Sequence, residues 1–521
     1  MYIKFILSMV MGVLINIHLQ AQIEGDNIFK EDQIIKIELN FSQVSFWDSL
    51  TLNYETETYM RADLTLTDMT GTYTFPDVGV RLKGNSSYRH PGVKKSFKID
   101  FNKYVSGQNY DGLKKLNFSN AFKDPSLMRE KLFFDVCLEA GVPAPRTNFS
   151  NVFFNGELWG FYTVVEQIDD QFLDWAILDD DGNLFKAAAN FGGGPGGGGG
   201  NEADLKYYGD SQSAYEESYE LKSNEEENDY SDLIDFTEFV DTSSPEVFEN
   251  ELGEHLELEE YIRSAALDNL FANLDSYTGS ARNYYIYHNL TTDKWEWIKW
   301  DGNESFGTYS QGAGGNITNL ALDYHSNDRP LLENLFNSPR LYARYEVAIC
   351  DLTGRYFNPT YMNAQIDAAR DLIQASVYAD VNKMYTDNNF DVNIESNISV
   401  GGGPGGGNVF GLKSFVEARN IFVTSQLDCS TISSVGQENF LDVNIYPNPF
   451  SGIVNLKGDF TNINGLTVHN LLGQQVHQKD MNVADKISLD LSFLDKGTYF
   501  LKFYSEENYA STISSVKLIK L

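Results

Sequence analysis

The sequence predicts an α+β fold in a chain with more than one domain. Apolar and polar residues alternate up to residue 168, helical periodicity dominates from residue 183 to residue 428, and short strands return after residue 441. A chain of 521 residues also exceeds the length that one hydrophobic core usually organises. We therefore expect a sheet-rich first part, a helix-rich second part and a small β-sandwich at the end.

Residues 1–21 predict a signal peptide. Lys4 precedes an apolar run from Phe5 to Ile17, and the small residue Ala21 follows, which is the order typical of an export signal. The run is shorter than the roughly 20 apolar residues that a membrane-spanning helix needs, and no later stretch reaches that length. We expect an exported mature chain without a transmembrane segment.

Strands are predicted from Ile35 to Lys103, where "IIKIELNF", "YMRADLTLTD" and "VGVRLKG" alternate between apolar and polar residues. A helix follows over residues 124–141, with Asp124 at its start and Gly141 at its end. The segment "NVFFNGELWGFYTVVEQI" predicts a hairpin around its Asn-Gly turn.

Past residue 183 the pattern becomes helical, and two glycine tracts interrupt it at 192–200 and 401–407. The tracts lack the Lys-Ser or Lys-Thr ending of a phosphate-binding loop, so we expect surface loops there. The polar residues 431–440 are interpreted as a linker, and residues 441–521 predict a β-sandwich.

The composition is strongly acidic, with 74 Asp and Glu against 39 Lys and Arg and a formal net charge of −35. The negative electrostatic potential of such a chain repels phosphate backbones, so nucleic acid is not expected as a partner. Three cysteines, Cys137, Cys350 and Cys429, lack the spacing of metal ligands. They allow at most one intramolecular disulfide.

Asp275, Asn283 and Asp301 are the candidate functional residues that the hairpin pattern brings together. Asp275 follows a helical segment, Asn283 begins the strand "NYYIY", and a turn returns the chain along "WEWIKW" to Asp301. An acid before one strand and an acid after its paired strand can meet at the same end of a hairpin. From the residues alone, a structural role in turns and strand ends remains an equal alternative.

The tail resembles the C-terminal sorting domain of the type IX secretion system of Bacteroidota. The matching motifs are "YPNP" at 446–449, "LGQ" at 472–474 and "GTY" at 497–499. The resemblance implies that the type IX secretion machinery carries the chain across the outer membrane through residues 441–521. Release from the cell or attachment to its surface would follow.

The main body, residues 22–430, resembles the CotH family of spore-coat-type atypical protein kinases. The resemblance is carried in order by "VRLKGNSS", "KKSFKIDF", "LMREKL", "NGELWGFYTVVEQID", "NLFKA", "NLDSYTGSARNYYIY" and "WIKWDGNESFG". It implies an atypical protein-kinase-like body that transfers the γ-phosphate of ATP to Ser or Thr hydroxyls of a protein, with Mg²⁺. The acceptor protein is not indicated.

The resemblance assigns Asp275 as the catalytic residue that orients the acceptor hydroxyl, and Asn283 and Asp301 as magnesium ligands. The family often has a second acid two positions after the metal-binding aspartate, whereas this chain has Asn303 there and Glu304 next to it. A catalytically inactive surface protein that binds an envelope protein or a polymer is therefore the alternative function.

For the nucleotide, Lys95 shares the apolar face of a predicted strand with Phe97, and a lysine on such a face needs a charge partner. We expect Glu166 to be that partner, because kinases hold the phosphates with a Lys–Glu pair. Lys94 is the alternative to Lys95.

Asn85 and Ser86, in "KGNSS", are predicted to cover the phosphates with backbone N–H groups, and a plain hairpin turn is the alternative. Arg129 matches the arginine of the family's helix. Its role is open between a phosphate contact and a structural salt bridge.

Overall fold

The computed structural model describes residues 23–30, 33–188, 202–310, 316–400, 407–429, 443–458, 460, 463–470, 474–480, 486–504 and 512–520. The chain divides between residues 437 and 438 into a larger unit, which starts at residue 24, and a C-terminal unit. The larger unit is sheet-rich at first and helical in the middle, and the C-terminal unit consists of β-sheets. The predicted mixed α+β architecture is confirmed.

A closed barrel of seven strands forms the first part of the larger unit. Its strands are β1 Ile34–Asn40, β2 Met60–Asp68, β3 Gly71–Leu82, β4 Phe97–Asp100, β5 Lys115–Ser119, β6 Thr147–Phe154 and β7 Glu157–Glu166. The order around the barrel is β1-β2-β3-β4-β5-β7-β6, and β1 closes it by pairing parallel with β6. Alternate residues of β1, such as Ile35 and Ile37, are fully buried in one core with the other strands.

The predicted hairpin is the β6–β7 pair, and Asn155 and Gly156 both adopt the left-handed conformation that its turn requires. Three short helices accompany the barrel: α1 Asp26–Phe29, α2 Phe46–Leu52 and α3 Ser86–Arg89.

Helix α4 spans Arg129–Glu139 and begins five residues later than the Asp124 start that the sequence suggested. Asp124 instead accepts hydrogen bonds from the backbone N–H groups of Ser126 and Arg129, both at 2.9 Å, and so satisfies free donors at the helix start. The fully buried Arg129 guanidinium contacts Asp124 and, at 2.8 Å, Asn393 Oδ1. Arg129 is therefore a structural ion-pair residue.

The second part of the larger unit combines a four-stranded sheet with helices. The sheet has the order β11-β10-β8-β9, with β8 Leu184–Ala187, β9 Tyr219–Leu221, β10 Tyr284–Asn289 and β11 Lys294–Lys299. The helices are α5 Asp170–Ala176, α6 Ser231–Thr242, α7 Pro245–His255, α8 Leu258–Leu270, α9 Pro330–Asn337, α10 Pro339–Arg355, α11 Pro359–Ala379, α12 Asp387–Glu395 and α13 Leu412–Gln426. A ribbon of β12 Ile398–Val400 and β13 Gly407–Val409 precedes α13.

The sequence did not predict β8 and β9, because strands of three and four residues are too short to show a two-residue period. A disulfide joins Cys350 in α10 to Cys429 just after α13, and Cys137 is a buried free thiol. None of the helices in the described part of the chain combines the length and apolar composition needed to cross a membrane.

The C-terminal unit contains two antiparallel sheets, ordered β14-β15-β18 and β17-β16-β19-β20. Their strands are β14 Val443–Tyr446, β15 Ile453–Gly458, β16 Gly465–Asn470, β17 Gln475–Asp480, β18 Lys486–Asp490, β19 Gly497–Tyr504 and β20 Thr512–Lys520. Leu456 of one sheet and Val468 and Leu501 of the other are fully buried in one shared core. The predicted signal peptide, the tract at 192–200, residues 401–406 and the linker at 431–440 lie outside the described residues.

Candidate functional site

A cavity of about 470 Å³ in the larger unit is lined by all three residues of the predicted Asp-Asn-Asp set. Its wall combines residues of the barrel with residues of the second sheet. The lining includes five acids, six amides and four lysines: Glu57, Glu130, Asp275, Asp301, Glu304, Asn85, Asn117, Asn120, Gln167, Asn283, Asn303, Lys83, Lys98, Lys186 and Lys222. The cavity therefore brings oppositely charged groups from distant parts of the sequence together.

Asp275 lies on a loop that is anchored between α8 and β11. Asp268 in the last turn of α8 accepts a hydrogen bond from Asn273 at 2.9 Å and pairs with Lys299 of β11 at 2.7 Å. Both side chains of the Asp268–Lys299 pair are almost fully buried. The support of Asp275 is consequently part of the core, although Asp275 itself faces the cavity.

Both carboxylate oxygens of Asp275 have donors. Ser280 Oγ donates to Oδ1 at 2.7 Å, and the Arg282 guanidinium lies 3.6 Å from the same oxygen. Asn283 Nδ2 donates to Oδ2 at 3.1 Å and to the Asp275 carbonyl at 2.8 Å. Because the amide nitrogen of Asn283 is engaged in this way, its Oδ1 is the atom that can bind a cation.

Asp301 follows β11 in a left-handed conformation, with φ of +54°. A Cβ at the next residue, Gly302, would lie 2.6 Å from Cδ1 of the buried Phe133 in α4. Only glycine permits this close approach of the Asp301 turn to α4. The same helix supplies Glu130, which therefore lines the cavity beside Asp301.

The acidic side of the cavity is electrostatically crowded. Burial, followed by repulsion from Asp275, raises the pKa of Asp301. Burial and the charge of Asp301 raise the pKa of Glu130 to about 8, and burial with the charge of Asp275 raises the pKa of Glu304 to about 7. A bound cation would relieve this repulsion.

Glu304 already has a counter-ion, because Lys123 Nζ donates to its two oxygens at 3.0 and 2.9 Å. Asn303, where the family often has an acid, donates from Nδ2 to the Phe122 carbonyl at 3.0 Å. These two residues connect the segment before α4 to the turn after Asp301.

Lysines line the same cavity. Burial, followed by repulsion from Lys186, lowers the pKa of Lys83 to about 8, and burial with repulsion from Lys115 lowers the pKa of Lys98 to about 7. Amide oxygens accept their ammonium groups, Asn117 Oδ1 at 3.0 Å from Lys83 and Gln167 Oε1 at 2.8 Å from Lys98. Clustered cations held by neutral acceptors favour the binding of a polyanion.

The predicted Lys95–Glu166 pair is wrong. Lys95 Nζ donates to the backbone carbonyls of Tyr88, at 2.6 Å, and His90. The carboxylate of Glu166 instead pairs with Arg146 at 2.5 Å. Neither member of the predicted pair lines the cavity. The reason is that β4 begins only at Phe97, so the alternation of that strand does not extend back to Lys95.

Lys94, the alternative to Lys95, is buried and paired with Asp380 at 2.7 Å. The lysine of this segment that reaches the cavity is Lys98, which lies on the strand face opposite the buried Phe97 and Ile99. Asn85 and Ser86 do line the cavity, as expected for residues that cover a ligand.

Lys83, Glu130 and Lys186 are among the lining residues that sequence reasoning missed. A signal for them was present, because each is a charged residue inside a motif that carried the family resemblance: "VRLKGNSS", "LMREKL" and "NLFKA". Their convergence depends on packing between the barrel, α4 and β8.

The residues fit a nucleotide with magnesium. Two carboxylates and an amide oxygen suit Mg²⁺, which keeps several waters and bridges phosphates in such sites. No group of three or more His, Cys, Asp or Glu side chains within the described ranges is arranged to hold a metal ion by itself. The protein would thus supply some of the magnesium ligands, and phosphate oxygens and water molecules would supply the others.

Comparison with known proteins identifies both units. The family model described as CotH kinase protein matches residues 80–403, and the secretion system C-terminal sorting domain matches residues 444–519. The sorting domain indicates a secreted or outer-surface protein. Inner spore coat protein H of Bacillus subtilis (strain 168) is 29% identical over 251 residues, which cover 48% of this chain and 62% of that relative. The chain therefore spans less than two thirds of the relative, but since the first family model matches more than half of the chain, the chain belongs to the CotH family.

Proposed function

We propose that the protein is a secreted or outer-surface kinase that transfers the γ-phosphate of ATP, with magnesium, to hydroxyl groups of a protein substrate. The observation that carries the proposal is the convergence of an acid–amide–acid set with several lysines in one cavity: Asp275, Asn283 and Asp301 with Lys83, Lys98 and Lys186. Membership of the CotH family supports it. The barrel with α4 and the helical part with the second sheet would form the two lobes of an atypical protein-kinase-like body.

The residues take roles that follow from their chemistry. Lys83, Lys98 and Lys186 would bind the phosphates of ATP, while Asn85 and Ser86 cover them from the barrel side. Asp301 and the free Oδ1 of Asn283 would hold magnesium, which neutralises phosphate charge when bound. These assignments give the cavity a phosphate-binding set of lysines and a metal-binding set of Asp301 and Asn283.

Asp275 would orient the acceptor and take its proton. Ser280, Arg282 and Asn283 keep its carboxylate in one orientation through the contacts described above. As the acceptor oxygen forms its bond to the γ-phosphorus, the bond between that phosphorus and the ADP oxygen breaks. The hydroxyl proton passes to Asp275 and then to solvent.

The route of the protein belongs to the same proposal. Residues 1–21 would direct export as a signal peptide. The type IX secretion machinery would then recognise the C-terminal unit, in which the sorting-domain match lies.

A labelling experiment tests the enzymatic proposal. The purified protein is incubated with γ-³²P-labelled ATP and Mg²⁺, alone and with envelope proteins, and protein-bound label is measured. We expect incorporation that falls at least about 100-fold in Asp275→Asn, because a positioned base contributes about 10²–10⁴-fold. Asp301→Asn should remove both incorporation and magnesium-dependent ATP binding.

The matched control is Asp48→Asn, because Asp48 is exposed on α2 and does not line the cavity. It should leave incorporation unchanged. A wild-type protein that neither binds Mg²⁺-ATP in a calorimetric titration nor incorporates label would contradict the proposal. That outcome would favour the catalytically inactive surface protein that binds an envelope protein or a polymer.

A further inference from the structure

The loop between β3 and β4 forms part of the cavity wall and has an unusual backbone. Gly84, Asn85, Ser86 and Ser87 all line the cavity. Gly84 has φ of +91°, and a Cβ at this position would lie 2.1 Å from Ser87 Oγ. Gly84 and Ser86 are exposed, so the loop has little burial of its own to hold it in place.

Tyr54 holds this loop from outside. Its hydroxyl donates to the Gly84 carbonyl at 2.5 Å, and its ring stacks on the ring of Tyr88 with centroids 3.3 Å apart and planes 9° apart. Tyr88 in turn donates from its hydroxyl to the Thr51 carbonyl at 3.3 Å. The last turn of α2 and the segment after it are therefore hydrogen-bonded to the loop at two points, Tyr88 and Gly84.

Lys95 anchors the same loop from its C-terminal side. Its ammonium donates to the carbonyls of Tyr88 and His90 and lies 5.3 Å from the centroid of the Tyr88 ring. This contact explains why Lys95 is partly buried although it does not reach the cavity. Tyr88 thus contacts both the ring of Tyr54 and the ammonium group of Lys95.

The segment that contains Tyr54 also contributes to the cavity itself. Glu57 lines the cavity and pairs with Arg81 of β3 at 3.0 Å. The CotH match begins at residue 80, so this segment lies before the matched region. Its contacts with the loop are a property of this chain that the family match does not assign.

A loop that must become ordered when a ligand binds reduces the affinity, whereas a loop already held in its bound conformation does not. We propose that Tyr54 is a positioning residue that holds the Gly84–Arg89 loop ready for the phosphates of ATP, with Lys95 as the second anchor. The proposal rests on the proposed function. Because the loop acts on nucleotide binding and not on the acceptor, Tyr54 affects the KM for ATP and leaves kcat unchanged.

Tyr54→Phe tests the proposal, because it removes the hydroxyl bond to Gly84 and keeps the ring that stacks on Tyr88. The matched control is Tyr73→Phe, which removes an exposed tyrosine hydroxyl that contacts Thr70 on the barrel surface. Hydrogen–deuterium exchange of residues 84–90 is measured without nucleotide, and KM and kcat are measured with Mg²⁺-ATP.

We expect faster exchange of the loop in Tyr54→Phe and a KM for ATP raised about fivefold, as for the loss of one neutral hydrogen bond. The kcat should stay within about twofold of wild type, since the transfer groups are untouched. Lys95→Met should change exchange and KM in the same direction. Tyr73→Phe should change neither quantity.

Unchanged loop exchange in Tyr54→Phe would refute the anchoring, and faster exchange with an unchanged KM would refute the role in binding. A fall in kcat at unchanged KM would also contradict the proposal. If the wild-type protein binds no Mg²⁺-ATP, the proposed function fails and the nucleotide role fails with it. Failure of this inference alone is recognised by normal wild-type binding that Tyr54→Phe does not weaken.

Discussion

Lys94→Met tests the buried ion pair that ties the barrel to the end of α11. Lys94 Nζ lies 2.7 Å from Asp380 Oδ2, and the two side chains are 1% and 0% exposed. Asp380 also accepts from the backbone N–H groups of Phe161, at 3.0 Å, and Asn382, at 2.8 Å. Without Lys94, the carboxylate would remain buried with two backbone donors and without the ammonium group that pairs with it.

Removal of one partner from such a pair costs about 3–5 kcal/mol, because the other charge stays buried without its partner. The larger unit spans residues 24–437, and its entropy of unfolding at about 2.1 cal/mol/K per residue amounts to about 0.9 kcal/mol/K. We therefore expect Lys94→Met to lower the melting temperature of this unit by about 3–6 °C.

Differential scanning calorimetry measures the shift, with two companion variants. Lys94→Met combined with Asp380→Asn should melt above Lys94→Met alone, because the orphaned charge is removed as well. Lys36→Met, which breaks an exposed pair with Glu38, should shift the melting temperature by less than about 1 °C. A shift below 1 °C in Lys94→Met, or a double variant that melts no higher than the single one, would refute the reasoning.

Three further predictions concern the cavity, the disulfide and a histidine. Lys83→Met should weaken Mg²⁺-ATP binding at least about tenfold in a calorimetric titration, because one of the phosphate-binding lysines is lost. Unchanged affinity would contradict this role. Replacing both Cys350 and Cys429 with Ser should lower the melting temperature by about 5 °C. The disulfide spans 79 residues, and its loss restores about 4.5 kcal/mol of chain entropy to the unfolded state. A reductant should lower the melting temperature of the wild type by the same amount and leave that of the variant unchanged. The hydrogen bond that the His288 ring donates to the Asp232 carboxylate raises the folded-state pKa of His288. The stabilisation from this pair is therefore fully present below the unfolded pKa near 6.5 and is lost as the pH rises through the folded pKa. His288→Gln should lower the melting temperature more at pH 6 than at pH 9, and an equal loss at both pH values would show that the imidazolium charge does not stabilise the fold.

The convergence of Asn283 and Asp301 could be predicted because it depends on local structure. The β10–β11 hairpin pairs Tyr284 with Lys299, so the residue before the first strand and the residues after the second lie at the same end. A short turn determines that register, and residues near each other in the sequence make its contacts. The contact of Asp275 with Asn283 is also local, since eight residues separate the two in the sequence.

Local structure did not predict which of Lys94, Lys95 and Lys98 lines the cavity. Strand alternation correctly separated Lys98 from the buried Phe97 and Ile99, but it could not show that β4 starts at Phe97 and excludes Lys95. The partner of Lys94 lies 286 residues away. No periodicity within one strand contains information about an ion pair over that separation.

The sequence by itself determined the order of sheet, helix and terminal sheets, the two hairpins and the carboxylate–amide set, because each depends on residues that are neighbours along the chain. Only the tertiary structure decided which cations face that set, that Glu130 joins it through the contact of α4 with Gly302, and that Tyr54 holds the loop at Gly84. The physical reason is that burial and barrel closure select these partners from distant segments, and a charged side chain shows its partner only after the chain has folded around it.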